Sequence, residues 1–237
     1  MDALQSYLDG QVVLIDKSMQ WTSFDAANKI RSLIKIKKVG HAGTLDPLAT
    51  GLLIICTGKF TKKINEYMGM EKEYVGTITL GATTPTYDLE SDPENFISTD
   101  HLTDEQIHAA TKQFEGDILQ MPPQHSAIKK NGERLYVSAR KGITVEMEAR
   151  PVTIRSFTIE KIDLPIVHFK VICSTGTYIR SLANDFGAAL GVGGYMSSLR
   201  RTRIGEFYVE NAKTIIEFEE EIKSLRASLK GESDSQL

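Results

Sequence analysis

The sequence predicts a mixed α/β fold, on three observations. Short β-rich runs alternate with segments whose apolar residues recur at helical spacing. Two of the helical segments open with a capping-box pattern, Thr22 with Asp25 and Thr103 with Gln106. With 237 residues, 41% of them hydrophobic, the chain can bury a sizeable core as one large domain or two small ones.

The elements follow in order. QVVLID is a first strand, and Thr22 then opens a helix with Ala26, Ala27, Ile30, Leu33 and Ile34 on one face. Residues 37–50 form a Gly-rich loop ahead of GLLIIC, a short strand apolar throughout. KEYVGTITLGA alternates Tyr74, Gly76, Ile78 and Leu80 against polar neighbours, as a half-buried strand does. In the helix at Thr103, Leu102 and Ile107 are spaced as a hydrophobic staple. Residues 120–142, QMPPQHSAIKKNGERLYVSARKG, are too long for a plain connection and point to a functional excursion. VTIRSFTIEKI and IVHFKVIC are two more strands joined at a Leu-Pro turn, and Thr177 to Leu190 is a helix ended by glycine. A last helix around Thr214–Leu225 gives way to KGESDSQL, which is expected to fray.

Charge and composition narrow the function. A net charge of −3 excludes a uniformly basic nucleic-acid binder. Basic residues nevertheless cluster at Lys35, Lys37, Lys38 and His41, at Lys59, Lys62 and Lys63, at Lys129, Lys130 and Arg134, and at Arg200, Arg201 and Arg203. Acidic residues gather apart from them, in 88–94 and 217–221, so a polyanion partner is plausible. Cys56 and Cys173 sit in apolar runs and read as reduced core thiols of a cytoplasmic protein. No apolar stretch reaches membrane-spanning length, and residues 1–10 do not resemble a secretory signal. The five histidines and two cysteines show no zinc-site spacing, and no P-loop, GxGxxG or GxSxG motif occurs. Neither metal nor cofactor is expected; the chemistry falls to ordinary side chains.

The most unusual segment is KVGHAGTLDPLATGLLIIC, which brings three glycines, His41 and Asp46 into one loop ending at a buried strand. On its own, Asp46 is either a turn initiator ahead of Pro47 or a catalytic carboxylate held rigidly by that strand. Likewise Tyr74 and Leu199 could be core residues and Arg180 a structural cation.

GHAGTLDPLATGLL resembles the motif II segment of TruB-type tRNA pseudouridine synthases. The resemblance runs from about Gly10 to Phe207, through IDKSMQWTSFDA, KEYVGTITLGATTPTYD, MPPQHSAIKKNGERLYVSARKG, CSTGTYIRSLANDFGAALG and YMSSLRRTRIGEF. It implies an α+β fold, with a mixed, mostly antiparallel central sheet flanked by helices and loops and an RNA-binding insertion. The implied activity is isomerisation of uridine to pseudouridine at position 55 in the T-loop of tRNA, without cofactor. Asp46 would be the essential aspartate, and Arg180 would pair with it. Tyr74 would stack on the flipped uracil and help remove the C5 proton. Leu199 would wall the base pocket, and His41 would support the opened RNA stack. Lys129, Lys130, Arg134, Arg140 and Lys141 would contact phosphates from the insertion, which is expected to order on RNA. The partner implied is the T-arm of tRNA, met by a monomer without metal or membrane.

The expected organisation is a catalytic domain over 1–210 with its insertion at about 120–142, then a C-terminal helix and acidic tail over 211–237. About 30 residues follow Phe207, too few for the C-terminal PUA domain of many relatives. Ser18, Pro85 and His125 stand where the family leads one to expect proline, aspartate and tyrosine. Three other readings stay open: an RNA-binding or tRNA-folding module, a guide-RNA-dependent synthase of ribosomal RNA, and a glycosidase. The last is weakest, since Asp46 has no carboxylate partner in its motif.

Overall fold

A computed structural model describes residues 3–124, 129–130, 133–134 and 147–234. The chain divides into two compact units, Met1–Lys72 with Arg200–Leu237, and Glu73–Leu199.

In the first unit, α1 (Ala3–Asp9) precedes β1 (Val12–Lys17). α2 (Ser23–Ile34) begins at Thr22, whose hydroxyl accepts from the Asp25 amide while the Asp25 carboxylate accepts from the Thr22 amide. The predicted apolar face is inward, with Ala26, Ala27, Ile30 and Ile34 buried. Thr22→Ala removes one arm of that box and is expected to cost about 1 kcal/mol, lowering Tm by about 2–4 °C in a chain of this size, as calorimetry would read.

The Gly-rich stretch expected as a loop instead contains a strand, β2 (Val39–Ala42), antiparallel to β3 (Thr50–Thr57). β2 is too short for periodicity to show it and owes its existence to β3. β3 is buried on both faces, as its apolar sequence requires. It pairs antiparallel with β1, which pairs parallel with β12 (Lys213–Thr214). At its start β3 pairs parallel with β10 (Gly194–Ile204), whose last residues fall in this unit and pair with β11 (Phe207–Tyr208). α3 (Ile64–Gly69) follows β3 after a 3-10 turn. α6 (Ile215–Asp234) packs Phe218 and Ile222 with Ile30, Ile34 and Leu53. Its backbone stays helical to Asp234, past the point where fraying was expected.

In the second unit the strand order is β10, β4 (Lys72–Leu80), β9 (Ile166–Cys173), β8 (Arg150–Asp163), β5 (Gly116–Gln120). The β5–β8 and β8–β9 pairings are antiparallel, so the sheet is mixed and mostly antiparallel. α4 (Asp104–Ala110) carries the second capping box, Thr103 with Gln106. α5 (Ile179–Ala189) buries Phe186 edge-on to Phe157, with ring centroids 5.2 Å apart. Two-residue strands β6 (Lys129–Lys130) and β7 (Glu133–Arg134) pair with each other.

Candidate active site

Asp46 lies half-buried in the connection between β2 and β3, between the buried Leu45 and the half-buried Pro47. The side chains of Ser23, Lys17 and Arg201 hold this connection through its main chain. Ser23, from the first turn of α2, accepts from the Leu45 amide at 2.8 Å and donates to the Leu45 carbonyl at 3.3 Å. Lys17 donates to the carbonyls of Ser18, Trp21 and Pro47 at 3.0, 2.7 and 3.5 Å. Arg201 donates through Nε to the Leu52 carbonyl at 2.8 Å and reaches the Gly43 and Thr44 carbonyls at 3.4 and 3.5 Å. The Gln20 amide also donates to the Pro47 carbonyl at 2.7 Å.

The sheet explains why two cations converge here. Lys17, Gly51 and Arg201 are register partners across β1, β3 and β10, so their side chains share one face. β2 ends at Ala42, and β10 takes over the same edge of β3 at Thr50 and Gly51. Carbonyls stranded at that change-over must find donors, and long side chains from the flanking strands supply them. Gly51, at φ +102°, leaves room between them.

Lys17 and Arg201 are 0% and 1% exposed. Burial pushes the Lys17 ammonium down to about 8 from its usual 10.5, with Asp46's negative charge opposing this and Arg201's positive charge adding to it. Between these values the unfolded chain holds a proton that the folded chain has released. Lys17's contribution to stability is therefore full above about pH 10.5 and lost as pH falls through about 8. The Tm difference between wild type and Lys17→Met should widen in favour of wild type from pH 7.5 to 9.5 in paired thermal melts.

His41, on β2 opposite Ile55, keeps its buried Nδ1 without a hydrogen bond. Burial holds its pKa below the ordinary value; a hydrogen bond with the Gly43 main chain opposes this and Arg201 reinforces it. The imidazole is neutral at pH 7.

Asp46 and His41 belong to the first unit, and Tyr74, Arg180 and Leu199 to the second. Tyr74 and Leu199 are both 8% exposed, on β4 and β10. Arg180, in the first turn of α5, is buried and donates to the Thr86 carbonyl at 3.1 Å. Its Nε lies 3.5 Å from Asp88 Oδ2. Asp88 is itself buried, its Oδ1 accepting from the Glu90 amide at 3.0 Å and its carbonyl from the hydroxyls of Thr84 and Thr86. Tyr87, just before it, is held at φ +62°, a strained value of the kind that clusters at functional sites.

Two charge readings need correction. Asp88 stands apart from the other acidic residues of 88–94, which are exposed: it is the buried counter-ion of Arg180. Arg200, Arg201 and Arg203 do not form a patch for a polyanion. Arg200 grips both oxygens of Asp16, Arg203 pairs with Glu71 at 2.9 Å, and Arg201 is internal. The backbone at Lys129, Lys130 and Arg134 lies in the β6–β7 pair, while Arg140, Lys141 and His125, and with them the expected ordering of the insertion, lie outside the described residues. Among the described residues no three His, Cys, Asp or Glu side chains gather as a metal site would need, and no helix is long and apolar enough to cross a membrane.

The model of the TruB family pseudouridylate synthase N-terminal domain matches residues 31–179, more than half of the chain. The chain belongs to that family. A model of the tRNA pseudouridylate synthase B C-terminal domain matches residues 180–234. A tRNA pseudouridine synthase B of Flavobacterium johnsoniae is 54% identical over 92% of this chain and 99% of its own length. One from Chloroherpeton thalassium is 49% identical over 90% and 91%. Among solved structures, an H/ACA ribonucleoprotein bound to a substrate RNA containing 2′-deoxyuridine matches with a TM-score of 0.69 at 27% identity. The match covers 92% of this chain but spans only 55% of that one.

Within this pseudouridylate synthase, sequence reasoning missed Lys17, Ser23, Arg201 and Asp88. Each lay inside a quoted motif, in IDKS, WTSFD, SLRRT and TTPTYD. For Lys17 and Arg201 the available signal was a charge set in a strand's run; Ser23 and Asp88 lie outside strands and carried no such signal. What each residue holds is decided by partners distant in sequence.

Proposed function

We propose that this chain isomerises uridine 55 in the T-loop of tRNA to pseudouridine, with Asp46 as the essential carboxylate. Membership of the TruB family and the names of its relatives support the reaction class and the RNA substrate. The observation that carries the assignment of Asp46 is its loop, fixed through the main chain by Ser23, Lys17 and Arg201. Immobilising a reacting group in this way lowers barriers by pre-organisation.

The reaction breaks the N1–C1′ bond, turns the base and forms C5–C1′. C5 loses a proton and N1 gains one, so neither redox partner nor cofactor is needed. Taking the base from its stack costs a few kcal/mol, on the order of 2–4. The Tyr74 ring returns about 1–3 kcal/mol by stacking and helps remove the C5 proton. Arg180, which pairs with Asp88 in its own unit, serves in this reading as the cation that keeps Asp46 ionised during the reaction. Leu199 walls the base from water, and the neutral His41 supports the opened stack. Lys129, Lys130, Arg134, Arg140 and Lys141 grip phosphates of the T-arm. The enzyme works as a monomer in the cytoplasm.

The test is conversion of an unmodified tRNA transcript by wild type and Asp46→Asn, with pseudouridine mapped by position. T-loop conversion by wild type alone is expected. Tight binding without conversion by either protein would make the chain an RNA-binding module instead. Conversion of the bare transcript, with no guide RNA or second protein, separates this reading from a guide-RNA-dependent synthase.

A further inference from the structure

α5 lacks a side-chain cap of its own: its N-cap residue is Tyr178, which has none to offer. The role is filled from elsewhere in the same unit. Gln120, the last residue of β5, is 3% exposed and turns its whole amide onto the Tyr178 main chain. Its Oε1 accepts from the Tyr178 amide at 2.8 Å, and its Nε2 donates to the Tyr178 carbonyl at 3.0 Å. The amide thus pairs with the Tyr178 main chain as one peptide group pairs with another, and only one amide orientation satisfies both contacts. One residue on, the Ser181 hydroxyl donates to the Met121 carbonyl at 2.7 Å. Between the two clasped residues, the N-cap Tyr178 and Ser181 of α5, sits Arg180 with its contacts to Asp88 and the Thr86 carbonyl. The end of β5, where segment 120–142 leaves the sheet, is therefore fastened to the turn that carries this arginine.

We propose that Gln120 is a positioning residue for the isomerisation, fixing the first turn of α5 and so the direction of the Arg180 guanidinium. Without the clasp, the Tyr178 amide loses its Gln120 acceptor at the helix start, and the tie between β5 and the first turn of α5 is weakened to the Ser181–Met121 bond and its neighbours. An error of an ångström in a reacting group can cost about 100-fold in rate. The proposal rests on Arg180 serving the reaction as argued above.

Gln120→Glu gives a readout that a merely structural role would not move. A protonated glutamic acid reproduces the amide, its carbonyl accepting from the Tyr178 amide and its hydroxyl donating to the Tyr178 carbonyl. Ionised, it sets a charged acceptor against that carbonyl and loses the second bond. Single-turnover conversion by Gln120→Glu, relative to wild type at each pH, should be about 10- to 100-fold down at pH 8 and recover as pH falls towards 5.5. The Kd for tRNA should stay within about threefold, since no phosphate contact is touched. Gln120→Met, which removes both bonds at similar volume, should be slow at every pH and decides the matter if the glutamate variant does not fold. A flat rate ratio across pH, or a methionine variant within about twofold of wild type, overturns the proposal. Asp46→Asn keeps the two readings apart: if it is inactive while the Gln120 variants run at wild-type speed, only the positioning role fails.

Discussion

Asp46→Asn is expected to lower single-turnover conversion by about 10³-fold or more, within the range for loss of an acid–base or nucleophilic group, while leaving tRNA affinity within about threefold. The substitution keeps the shape of the side chain and removes its charge. Whether the carboxylate attacks C6 of the base, attacks C1′ of the sugar or takes a sugar proton, it must be ionised, and asparagine can do none of these. The grips of Ser23, Gln20, Lys17 and Arg201 on the loop all land on its main-chain groups, so they survive the change. Rapid-quench assays at saturating enzyme, with filter binding beside them, separate the chemical step from recognition. A variant that converts within tenfold of wild type would remove Asp46 from the centre of the reaction.

The second large effect is on stability. Gly51→Ala places a methyl group 2.3 Å from the Arg201 carbonyl oxygen, at a φ of +102° that side chains avoid. Backbone strain of about 1–3 kcal/mol and overpacking of about 1–3 kcal/mol combine to a loss of roughly 2–6 kcal/mol. The atoms it meets are all Arg201 backbone, so no rotamer change relieves the clash. Urea unfolding with the linear extrapolation reads the loss directly. A loss below about 1 kcal/mol would mean that β3 and β10 part easily, contrary to the close approach described here. Because Arg201 rides on β10, the surviving folded fraction should also convert tRNA more slowly than wild type.

The elements legible in the sequence were those whose signal is local. The capping boxes at Thr22 and Thr103 need only their own four residues, and both form as read. β3, β4, β8 and β9 announce themselves by runs or alternation that any packed sheet would select. β2 was read as loop because VGHA has no pattern of its own and becomes a strand only by lying against β3. The charges fared likewise. In sequence, Asp88 stands among exposed acids and Arg201 among basic neighbours, and nothing local tells a buried charge from a solvated one. Asp46 and Arg180 were reached through the order of several motifs, whereas Lys17 and Asp88, which brace the two segments, depend on contacts made only after folding.

The manner in which the Asp46 loop is held has a consequence for how it can vary. Lys17 and Arg201 grasp carbonyl oxygens, which every amino acid possesses, and Ser23 grasps both main-chain polar groups of Leu45. Such a mounting is indifferent to the cargo at positions it does not pack. Leu45 and Ala49 are buried and must fit, but Thr44 is exposed and Leu48 only half-buried. Those two positions can be exchanged to retune what the loop presents to a nucleotide while the carboxylate stays where the sheet has put it.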